Sequence, residues 1–96
     1  MLEIRPTCEN CYKPLPNGSP DAMICTFECT FCADCVTSVL ENVCPNCGGG
    51  FEKRPTRPSG PLARNPVSTT KVHKPVDMEK FGLLRERYKN ISPDKR

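Results

Sequence analysis

A small α+β module with little regular structure, nucleated by metal and followed by a disordered basic tail, is the fold class the sequence predicts. Three observations predict it. Eight of the 96 residues are cysteines, and all of them fall between Cys8 and Cys47. A segment that short cannot bury enough apolar surface to fold on a core alone, so it needs disulfides or metal ions. After Gly48-Gly49-Gly50 the chain becomes rich in proline, lysine and arginine.

The compartment chooses between disulfide and metal. The opening Met-Leu-Glu-Ile-Arg-Pro has no basic start followed by an apolar run, so no signal peptide is expected. No stretch approaches the roughly 20 apolar residues of a membrane span, and no membrane contact is expected. The expected location is cytoplasmic, where thiols stay reduced and clustered cysteines bind metal. Charge divides along the chain. Residues 1–52 carry Arg5 and Lys13 against seven acidic residues, a net −5, whereas residues 53–96 carry twelve Lys and Arg against four acidic residues, a net +8.

The organisation predicted is a two-metal module over 1–54 and a Pro-rich basic tail over 55–96. Within the module, Leu2 and Ile4 suit a short strand. Leu15 to Asp21, with two prolines and an Asn-Gly pair, reads as a loop. Ala22 to Phe31 is apolar and β-prone, which predicts a hairpin carrying Cys25 and Cys29. One or two hairpins are expected in all. Val36, Val39, Leu40 and Val43 fall at i, i+3, i+4 and i+7, which predicts one helix from about Ala33 to Asn42. That face, with Met23, Ile24, Phe27 and Phe31, is the expected core. Residues 53–75 contain five prolines and should not offset their ordering entropy by burial. Helix formers return over 76–90, where Phe81, Leu84 and Tyr88 form a weak stripe interrupted by Gly82. A solvated tail is the expectation there, with a short helix as the alternative.

The cysteines are spaced Cys8-x2-Cys11, Cys25-x3-Cys29-x2-Cys32-x2-Cys35 and Cys44-x2-Cys47. A two-residue gap lets one turn of backbone aim two sulfurs at a common point, and zinc takes four such ligands at about 2.3 Å in a tetrahedron. Eight cysteines divide into two closed four-thiolate sites, so two Zn2+ ions are expected. A closed site has no position for water or substrate and is structural. In Cys44-Pro45-Asn46-Cys47-Gly48, proline fixes φ and glycine tolerates φ > 0, which turns backbone N–H groups toward the thiolates. A disulfide scaffold conflicts with the expected compartment. A single iron–sulfur cluster would strand four cysteines, and a thioredoxin-like redox pair needs a βαβ context that this chain is too short to supply. Two pairings remain open: Cys8, Cys11, Cys32 and Cys35 with Cys25, Cys29, Cys44 and Cys47, or the first four with the last four.

The arrangement over 8–47 resembles a RING finger: a C-x-x-C pair, a central cluster with Phe31 before Cys32, a short helix, then Cys44-Pro45-Asn46-Cys47. The resemblance implies the first, cross-braced pairing. RING fingers usually place His where this chain has Cys29, and RING ubiquitin ligases an apolar residue where it has Glu9. More specifically, residues 1–58 resemble a family of short bacterial cysteine-rich proteins of unknown function. The residues that carry this are Met1-Leu2-Glu3, Arg5-Pro6, Cys8-Glu9, Cys11, Ala22 to Cys25, Phe27 to Cys35 and Cys44 to Gly49. The resemblance implies a bacterial cytoplasmic protein and no particular activity.

No Ser/His/Asp set, phosphate loop or open metal position is present. His73, the one histidine, should be solvated. Glu9, Asp21, Glu28, Asp34 and Glu41 read as a soluble surface. The function expected is therefore protein interaction through a zinc-held surface, with no catalysis and no small-molecule substrate. Nucleic-acid binding through the basic tail is one alternative, and ubiquitin-ligase-like activity is another.

Overall fold

A computed structural model describes residues 1–96. A hairpin forms over the apolar, β-prone segment Ala22 to Phe31 that predicts it. Strands β1 (Ala22–Ile24) and β2 (Thr30–Cys32) pair antiparallel in the register Ala22 to Cys32, Met23 to Phe31 and Ile24 to Thr30. Helix α1 (Ala33–Ser38) follows β2 without a loop, and the Cys32 sulfur caps its first turn by accepting from the Cys35 N–H. A third strand, β3 (Glu52–Lys53), joins the free edge of β1 and gives the order β2-β1-β3.

Helix α1 stops at Ser38, four residues short of expectation, because Glu41 and Asn42 take positive φ (47° and 61°) and turn the chain away. The predicted apolar face survives: Val36, Leu40 and Val43 are buried, and Val39 packs against them. Leu2 to Ile4 forms no strand, although Ile4 is buried. Phe27 does not join the core. It lies at the tip of the hairpin and is 71% exposed. Its place is filled by Leu15, Phe51 and Phe81, with Phe31 and Phe51 edge to face at 5.5 Å between ring centroids.

The tail is the main correction, since it packs on the module. Beyond β3 come a single helical turn, α2 (Ser59–Leu62), and a longer helix, α3 (Met78–Tyr88), capped by the Asp77 carboxylate accepting from the Glu79 and Lys80 amides. A module with so little regular structure leaves backbone groups unpaired, and buried unpaired carbonyls are costly. The later residues satisfy them. Arg57 and Asn17 exchange two hydrogen bonds at 2.9 Å, the Ser68 amide donates to Ile4 O at 2.9 Å, and the Lys74 amide donates to Glu9 O at 2.7 Å. Phe81 is 4% exposed within the core, while Leu84 and Tyr88 pack on its edge. The weak stripe is thus a docking face.

Candidate metal centre

The two ends of the sheet meet two clusters of sulfur. Cys8 and Cys11 lie in the first loop, Cys32 ends β2 and Cys35 sits in α1; their sulfurs all fall within 4.8 Å of one another. A tetrahedron with zinc–sulfur bonds of about 2.3 Å has edges of about 3.8 Å, and the Cys11 and Cys32 sulfurs are 3.7 Å apart. The second group joins Cys25, at the end of β1, to Cys44 and Cys47. Cys29 stands outside that common distance, and its sulfur accepts from Asn46 Nδ2 at 3.4 Å. The first group takes Cys8 and Cys11 from before Cys25 and Cys32 and Cys35 from after it, and the second takes Cys25 and the pair Cys44 and Cys47 from either side of Cys32 and Cys35, the order of the cross-braced pairing.

Amide donors surround the sulfurs. Backbone N–H groups of Cys11, Phe27, Cys35 and Gly49 donate to Cys8, Cys25, Cys32 and Cys47 at 3.4–3.5 Å. Gly48 takes φ +77°, as the knuckle reading requires. Two side chains add to the set. Asn10 Nδ2 donates to Cys35 Sγ, and Asn46 Nδ2 to Cys29 Sγ, both at 3.4 Å. Each asparagine occupies the middle of one C-x-x-C loop and supports a sulfur from another segment. Spacing rules count cysteines, so they are blind to this role of the intervening residues.

Crowding of thiols splits their acidities. Hydrogen bonds from Cys44, and then from Asn46 and Cys25, hold the Cys29 thiol down to about 6 despite its burial. The reciprocal contact with Cys29, together with burial, pushes Cys44 up, and burial pushes Cys25 up to about 11. In the first group burial raises Cys32 and Cys35. Burial also acts on Cys11, but a hydrogen bond from the Lys13 backbone and those from neighbouring thiols outweigh it and leave its acidity raised. Four adjacent thiolates repel one another, and a divalent cation removes that repulsion. The donor set fits a soft-ligand cation such as zinc.

Glu9 is no solubilising surface carboxylate, since it is 3% exposed. Its Oε2 accepts from Arg5 at 2.9 Å and from the Thr30 amide, tying the first ligand loop to β2. His73 is exposed as expected, with its ring 4.7 Å from that of Tyr12.

The residues that carry the metal centre lie inside a known family. The chain belongs to the family described as Protein of unknown function (DUF1272), whose model matches residues 1–57. A protein of Rhizobium meliloti (strain 1021), described as uncharacterised, is 56% identical over 75 residues, 78% of this chain and 89% of its own length. Those 75 aligned residues exceed the 57 of the family match by 18, so the likeness extends into the tail. No solved structure matches the chain. No helix is long and apolar enough to cross a membrane.

Proposed function

We propose that the chain is a structural zinc protein of the reducing cytoplasm, in which two all-thiolate sites hold a protein-interaction surface and no reaction is catalysed. The observation that carries this is the pair of sulfur groups, Cys8, Cys11, Cys32 and Cys35 beside Cys25, Cys44 and Cys47, ringed by amide donors. In this reading Cys29 completes the second site by a small rotation of its side chain. Amide donors stabilise thiolates and orient them, and four sulfurs per ion leave no coordination position for a substrate. Elemental analysis of metal-replete protein should return about two zinc ions per chain. A ratio near zero, or iron in place of zinc, overturns the proposal. The interaction role is tested by affinity capture from the native cell with the metal retained, followed by reconstitution of the captured pair from purified components.

The nucleic-acid alternative is weaker than composition suggests, because four of the tail's twelve cationic side chains are tied to the protein itself. Arg57 donates to Leu2 and Asn65 carbonyls, Arg85 pairs with Glu41 at 3.2 Å, Lys89 pairs with Glu86 at 3.1 Å, and Arg96 donates to Asn42 and Gly48 carbonyls. Binding to random DNA that falls steeply with salt would restore it.

A further inference from the structure

Residues 73–96 hold the module at three places, and two of these are metal-ligand loops. At the first, Asn10 acts in two directions. Its Nδ2 donates to the Cys35 sulfur at 3.4 Å, and its Oδ1 accepts from the Val76 amide at 2.9 Å. One side chain thus joins a sulfur of the first site to the strap. The Lys74 amide donates to Glu9 O beside it, and the His73 ring lies on Tyr12, the residue after Cys11. At the other ligand loop the Tyr88 ring comes within 3.2 Å of where a Cβ on Gly48 would sit, and Arg96 donates to Gly48 O at 3.1 Å. The third hold is at the end of α1, where Arg85 donates to Val39 O at 2.9 Å. Beneath the strap a cleft of about 370 Å3 remains, bounded by Glu9, Phe31, Pro45 and Phe81.

We infer that metal occupancy and docking of this strap are thermodynamically linked, with Asn10 as the positioning residue that couples the first site to residues 74–76. The inference rests on the zinc reading above. When the first site loses its ion, the Cys8–Cys11 loop loses its anchor, and Lys74 and Val76 lose their partners with it. Linkage is reciprocal, so a loosened strap makes the ion easier to remove by the same factor. The segment released is helix α3 with its apolar stripe. Phe81, Leu84 and Tyr88 come off the module, with Lys80, Arg85, Arg87 and Lys89 alongside. Loss of metal is converted into exposure of the apolar stripe that α3 holds against the module in the loaded protein.

The test uses the full chain loaded with zinc. Val76→Pro removes the strap's N–H donor without touching a ligand loop, and Asn10→Ala removes both halves of the bridge. Transfer of zinc to a chromogenic chelator should show one of two phases accelerated about tenfold in each variant, within the usual range of coupling between sites, with the other phase unchanged. The double variant should be no faster than Asn10→Ala alone, because both changes cut one link. The converse measurement needs no variant. Removing the first equivalent of zinc from wild-type protein should speed hydrogen exchange at Lys74, Val76 and α3 while the β1–β2 amides stay protected. The linkage is overturned if Val76→Pro loosens the strap by hydrogen exchange yet leaves both zinc phases within twofold of wild type. It is overturned equally if strap and hairpin lose protection together. A chain that binds no zinc overturns the zinc reading itself, a separate outcome.

Discussion

Arg54 places a cation among backbone carbonyls with no carboxylate for company. It is 1% exposed, and its guanidinium donates to Arg5 O at 2.7 Å and to Leu15 O and Pro16 O at 2.9 Å. Burial lowers its pKa, but a guanidinium stays protonated at any physiological pH. The side chain gathers the first loop under the sheet. Arg54→Ala leaves three carbonyls without their donor, that of Leu15 buried, and should cost about 2 kcal/mol, whereas Arg54→Lys keeps the charge without the fork and should cost about half of that. Urea midpoints of the zinc-loaded variants give the comparison. At the second metal group, Cys29 is held down to about 6 while Cys25 is pushed up to about 11. Where the second site is empty while the first still holds its ion, filling it must expel the Cys25 proton throughout the range below about 11, so its zinc affinity should rise with pH. Below about 6 a Cys29 proton must leave as well, and the dependence should steepen. Chelator competition from pH 5 to 9 measures both slopes.

Among the elements, the hairpin is legible in the sequence from its run of apolar, β-prone residues, and the apolar face of α1 from its helical spacing, because both signals are local. The end of α1 is not, since Glu41 and Asn42 enter the left-handed region without a glycine to announce the turn. Helix α3 is legible as a stripe, but its docking is not. Its partner is the module edge, and a count of apolar residues within the tail takes no account of unpaired carbonyls elsewhere. Gly82 lies inside α3, and a Cβ added there would meet nothing within 4 Å. Gly82→Ala should therefore stabilise the helix by about 0.5–1 kcal/mol through reduced chain entropy. Slower hydrogen exchange over Met78–Tyr88 is the expected sign, and faster exchange would show that the helix needs the bend glycine permits.

For the whole molecule, the metal and the tail divide the work of a missing core. Fifteen hydrophobic residues are buried, and seven of them are cysteines or alanine at the metal sites and hairpin: Cys8, Ala22, Cys25, Cys29, Cys32, Cys35 and Cys44. Few large side chains remain to drive folding, so metal binding has to supply it, on the order of 10 kcal/mol per zinc at such sites. Full chelation should collapse amide dispersion across residues 1–52 in a nitrogen–proton correlation spectrum. Dispersion that survives complete metal removal would show that the core suffices alone. Cysteine number and spacing make the metal centre legible at this scale. The asparagines, Glu9 and Arg54 are not legible, because their roles depend on which loops become neighbours.

The amide shell around the sulfurs has a consequence for their chemical reactivity. Hydrogen bonds draw electron density from a thiolate and blunt it as a nucleophile, and burial keeps reagents away. Six of the eight cysteines are buried, whereas Cys11 and Cys47 are exposed. An alkylating agent thus meets each metal centre at one sulfur, the last of its C-x-x-C loop. Brief treatment of zinc-loaded protein with N-ethylmaleimide should label Cys11 and Cys47 first, as peptide mass spectrometry would read. Early labelling of Cys8 or Cys44 would mean that the centres open before they react. Each centre then has a single point of chemical attack, and the ion is lost only after that one sulfur has been taken.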